Sequence, residues 1–128
     1  MKREAEWPRI AALDMLLLCY SFNVAVIGQM FDSIRTAYRL SIAEASLLTS
    51  VQSIGGFAAV ILCILLMDVL NKPKITSIAG LVYFVLFLTV GMSVPLVLLF
   101  AVFVGMGLFG GVVDTMTNSV MAETVSRQ

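Results

Sequence analysis

The sequence predicts an all-α membrane protein whose four transmembrane helices form a single membrane region over residues 1–128. Three observations carry this reading. Of the 128 residues, 60% are hydrophobic and 12% charged, whereas a soluble domain holds about 45–50% apolar and 25% charged residues. Four apolar runs, near 10–31, 44–67, 75–92 and 95–121, reach the roughly 20 residues that a hydrocarbon core about 30 Å thick demands at a rise of about 1.5 Å each. Stretches such as Val82-Tyr83-Phe84-Val85-Leu86-Phe87-Leu88 show no alternation, which argues against barrel strands and leaves the helix as the way to satisfy backbone groups in lipid.

The first run follows a charged start, Met1 to Arg9, as a secretory leader would. It is longer than the usual apolar region of about 7–15 residues, and no small-x-small cleavage site follows Gly28-Gln29-Met30, so it is expected to be retained. Ser41-Ile42-Ala43-Glu44 has the form of a capping box and marks the start of the second helix. Asn71-Lys72-Pro73-Lys74 is expected to separate the second and third helices, because proline lacks a backbone donor and biases the preceding residue toward extended geometry. Ser93-Val94-Pro95 does the same before the fourth. Both links are short, so helices two, three and four are expected to be antiparallel neighbours in sequence order. Positive residues are retained on the cytoplasmic side. With the N-terminus inside, Lys2, Arg3, Arg9, Lys72, Lys74 and Arg127 are cytoplasmic and only Arg35 and Arg39 external, which predicts a multi-pass protein of the cell membrane with both termini in the cytoplasm.

Several functions are disfavoured by composition. The formal net charge is zero and the charges cluster at the ends of apolar runs, leaving no basic face for nucleic acid. The chain has no histidine, the commonest general base and metal ligand, so neither an enzyme nor a metal or cofactor site is expected. Cys19 and Cys63 lie in separate apolar runs and read as small buried hydrophobes.

The polar residues inside the spans are the candidate functional groups. In the fourth helix Gly107 and Gly111 share a face suited to close helix packing. Asp114 and Asn118 continue that face as the most polar intramembrane cluster. A carboxylate at the bilayer centre costs about 2.5–3.5 kcal/mol on insertion scales, so Asp114 should face protein or a wet cavity, in a pathway role or as an interhelical hydrogen bond. The second helix carries a stripe of Ser46, Thr49, Ser53 and Gly56 flanked by Ser50 and Gln52, which suits either an aqueous pathway or interhelical bonding. In the first helix, Ser21, Ala25 and Gly28 form a small packing face with Asp14, while Tyr20 and Asn23 point elsewhere. Asn23 should bond another helix or meet a solute.

Three features in this order resemble the N-terminal portion, helices one to four, of a major facilitator superfamily transporter: a polar turn with Asp68 and Lys72, a tight external link, and a glycine-rich helix ending Asp114-Thr115-Met116-Thr117-Asn118. The last run is similar to the sugar-permease branch related to fucose transporters. The family motif between helices two and three reads glycine, three residues, aspartate, a basic residue, any residue, glycine and two basic residues. Asp68 matches its aspartate and Lys72 the first later basic position, while Ile64, Val69, Asn71 and Pro73 depart from it. The resemblance implies part of an N-terminal six-helix bundle, with alternating access about a central site that moves a small solute, often with a coupling ion. Asn23, Gln52, Ser53, Asp114 and Asn118 are then the pathway candidates, and Asp68 and Lys72 the gating candidates.

The implied partners are the lipid bilayer, a small-molecule solute and the remaining transporter helices or another membrane chain. As roughly a third of such a transporter, the chain is expected to be inactive alone. Two alternatives stand beside this reading. One is a complete four-helix transporter acting as a dimer, similar to the small multidrug resistance family, with Asp14 as its acidic residue. The other is a non-transporting membrane subunit that uses its glycine faces to bind partners.

Overall fold

In the computed structural model the chain forms four helices, α1 (Lys2–Ala37), α2 (Ile42–Leu66), α3 (Lys72–Val90) and α4 (Leu96–Ser126). All four are long and apolar enough to cross a membrane. The chain is therefore an all-helical, multi-pass membrane protein. The structure describes residues 2–126, with side chains from Trp7 onward; Met1, Arg127 and Gln128, and the side chains of Lys2 and Arg3, lie outside the described residues.

The helix boundaries follow local chemistry. Ser41 caps α2 as expected: its Oγ accepts from the Glu44 amide at 3.2 Å, and its own amide donates to Glu44 Oε2 at 2.8 Å. Arg39, at φ 53°, turns the chain between α1 and α2. The break before α3 falls earlier than the proline suggests, because Pro73 sits in the first turn of α3, where a missing donor costs nothing. α1 extends well beyond 10–31, carrying the charged N-terminal segment and Pro8 within the helix.

Packing order departs from sequence order. α4 is the central post, packed most extensively against α2, then α3, then α1, while α2 and α3 lie on different sides of it. Glycine on two helices explains the arrangement. A methyl group on Gly107 would stand 2.0 Å from the Gln52 carbonyl oxygen, and one on Gly111 would stand 2.7 Å from that of Gly56. From the other side, a methyl group on Gly55 would lie 3.0 Å from the Val104 oxygen. The α2 and α4 backbones approach so closely only because these positions lack side chains. The core runs along α4 through Leu99, Phe103, Met106, Val113 and Met116, all at most 1% exposed.

α1 is attached differently. Its small face does not pack: Ser21, Ala25 and Gly28 are exposed, and a methyl group on Gly28 would meet nothing within 4 Å. Cys19 is also exposed rather than buried, since it lies on an outward side of α1; Cys63 is buried. α1 enters the core through Ile27 and Ile34, and it is also held where Gly110 leaves room for the edge-to-face pair of Tyr20 and Tyr83, whose ring centroids are 5.3 Å apart. At the end bearing the α1–α2 turn, Tyr38 joins two connections. Its hydroxyl donates to the Val94 oxygen at 2.8 Å and accepts from the Val94 amide at 3.3 Å.

Candidate functional site

Past the packed end of α1 and α2, the two helices leave a cleft of about 370 Å³ over α4. Tyr20 and Gly28 line one wall, Thr49, Gln52 and Ser53 the other, and Gly107 the floor. All lie in the middle portions of their helices, so the cleft sits at mid-span. The stripe on α2 supplies its polar wall. Thr49 and Ser53 donate their hydroxyl hydrogens to their own helix, to Ser46 O at 2.9 Å and to Thr49 O at 3.0 Å. Their oxygens thus present acceptor lone pairs to the cleft. Gln52 is half-buried and, among the described residues, its amide makes no hydrogen bond, so it offers both donors and an acceptor.

Of the pathway candidates, the cleft gathers Gln52 and Ser53. Asn23 lines a separate, mostly apolar groove of about 220 Å³ between α1 and α3. Its amide donates at 2.7 Å to the Cys19 oxygen of its own helix rather than to another helix, and its second N–H and its Oδ1 have no partner among the described residues. Asp114 and Asn118 are joined by a 3.1 Å hydrogen bond along α4. Their spacing from Gly107 and Gly111 puts them on the same side of α4, further toward the termini. Asp114 is half-buried there and Asn118 exposed.

The gating candidates Asp68 and Lys72 meet in another cleft, of about 440 Å³, at the end of the bundle where α1 and α3 start and α2 and α4 finish. Lys72 pairs with Glu123 and so ties the start of α3 to the end of α4. Sequence reasoning missed Glu123, although its place just past the fourth run puts it at the same membrane face as Lys72. Tyr20 points away from the small face of α1, as expected, and its ring borders both mid-span clefts. Two further hydroxyls, Tyr83 Oη and Thr117 Oγ1, are buried without a hydrogen-bond partner.

No protein-family model, curated protein or solved structure matches the chain.

Proposed function

We propose that the chain forms one wall of a solute pathway in a transporter resembling the major facilitator superfamily, working by alternating access together with further helices. The observation that carries this reading is the mid-span cleft, where an unpartnered Gln52 amide and the Thr49 and Ser53 hydroxyls stand over a floor of glycine. Polar groups at that depth belong in a wet or solute-filled cavity. The exposed small face of α1 supports the same reading, since it offers a flat surface to further helices. Asp14 is exposed on α1 and lines none of the described clefts.

Reconstitution of the purified 128-residue chain tests the proposal. The chain alone should show no saturable solute uptake. Robust uptake by a homogeneous homodimer overturns the reading in favour of the small four-helix transporter, and stable complexes with a non-transporting partner favour the subunit. The proposed orientation has its own test, with Cys19 and Cys63 replaced by serine. An impermeant thiol reagent applied outside the cell should label Arg39→Cys and spare Lys74→Cys; the reverse pattern overturns the assignment of both termini to the cytoplasm.

A further inference from the structure

The groove of about 220 Å³ between α1 and α3 has no part in the proposed pathway. The two helices scarcely touch each other there. Asn23 and Val113, which line the groove, stand near the middle of their helices, so it sits at mid-span. Exposed Cys19 and Phe84 edge its mouth, and the rings of Tyr20 and Tyr83 form part of its wall. The Tyr20 hydroxyl is turned toward Gly110 on α4 and the Tyr83 hydroxyl is buried, which leaves Asn23 as the polar group presented to the groove. One Asn23 N–H is used on the Cys19 oxygen at 2.7 Å, while the other N–H and Oδ1 have no partner among the described residues. At this depth a donor and an acceptor left unmade are costly, so the groove calls for an occupant that meets both.

We infer that this groove binds a small phenolic molecule drawn from the hydrocarbon phase of the bilayer. An acyl chain would cover the apolar walls and leave both free Asn23 groups unsatisfied. A water molecule would bond to Asn23, but it fills only about 30 Å³ and leaves the walls uncovered. A hydroxyl group donates and accepts at once, so a phenol O–H can donate to Asn23 Oδ1 while its oxygen accepts the free N–H. The ring then packs against Tyr20, Tyr83 and Phe84, where edge-to-face contacts favour an aromatic body over a linear chain. An aryl ether has nearly the same shape and an acceptor oxygen but no hydrogen to donate, so the site discriminates by that hydrogen.

Photolabelling of the full chain in phosphatidylcholine vesicles tests the inference. The probe is a phenol carrying a trifluoromethyl-diazirine in the para position, and labelled positions are read by mass spectrometry of peptides. Label should concentrate around Cys19 and Phe84 and spare Leu81, which is 67% exposed on α3 but does not line the groove. Unlabelled para-ethylphenol should compete at about tenfold lower bilayer concentration than para-ethylanisole, the scale of one or two hydrogen bonds. Asn23→Leu, close in size and well suited to lipid, should bring the two competitors level. Tyr83→Phe, which removes a hydroxyl buried behind the wall, should keep the tenfold ratio. Equal competition in the wild-type chain, label spread evenly onto Leu81, or a ratio that survives Asn23→Leu overturns the inference.

Discussion

α4 and α1 are both long apolar helices, yet they occupy opposite positions in the packing. In α4, 44% of the most apolar stretch is buried within the bundle, against 6% in α1. Hydrophobicity does not separate them, because lipid solvates leucine as well as a protein interior does. The difference lies in where small residues meet a complementary backbone. Gly107 and Gly111 oppose Gln52 and Gly56, while Gly28 opposes nothing. A glycine in a membrane helix thus marks a packing face only when another helix supplies the matching surface.

The comparison can be broken most directly at Gly107. Gly107→Ala places a methyl group 2.0 Å from a backbone oxygen, and neither backbone can yield without separating α2 from α4. Overpacking of this kind costs about 1–3 kcal/mol or more, and the variant should lose its cooperative thermal transition in detergent. Removing one anchor of α1 comes next. Tyr20→Ala deletes the ring that packs on Gly110 and Tyr83 and should cost about 3 kcal/mol, at the low end for a large aromatic. Protease sensitivity should then rise in α1 and not in α2 to α4; a uniform rise would mean that α1 is as integral to the bundle as α4.

A smaller effect sharpens the account of α3. The Tyr83 hydroxyl is buried and unpartnered, a situation that costs about 1–3 kcal/mol, so Tyr83→Phe should leave the unfolding temperature unchanged or raise it. A clear fall would mean that the hydroxyl has a partner in the bilayer. The smallest effect belongs to Gly28→Ala, expected within about 0.5 kcal/mol of wild type because the added methyl group meets open space. Marked destabilisation there would show that the cleft beside Gly28 is already filled.

Local punctuation was legible in the sequence. The Ser41 capping box forms as read, and the link ending at Pro95 falls between α3 and α4. Composition and run length were enough to establish four membrane-length helices. Packing order was not legible, because short links constrain which helices follow one another but not which one takes the centre. The candidate site was legible in part. Thr49 and Ser53, four positions apart, share one face of α2 and one cleft, a relation that periodicity reveals, and Gln52 joins them from the edge of that stripe. Asn23 could not be placed, since its choice between a neighbouring helix and its own Cys19 carbonyl depends on a rotamer that spacing does not encode. The Lys72–Glu123 pair escaped because its partners lie 51 positions apart and meet only once α3 and α4 are laid side by side.

The double hydrogen bond between Tyr38 and Val94 has a consequence for how the protein is made. Its partners are separated by 56 positions, with the whole of α2 and α3 between them. A chain entering the bilayer from its N-terminus must therefore expose the Tyr38 hydroxyl until the third helix has crossed and turned. Closure of this clasp is a late assembly event, and it ties the first and last connections of the bundle into one rim. A ribosome stalled shortly after Val90 would leave that rim open and α1 free to tilt, a state in which the assembly machinery of the membrane could still correct its placement.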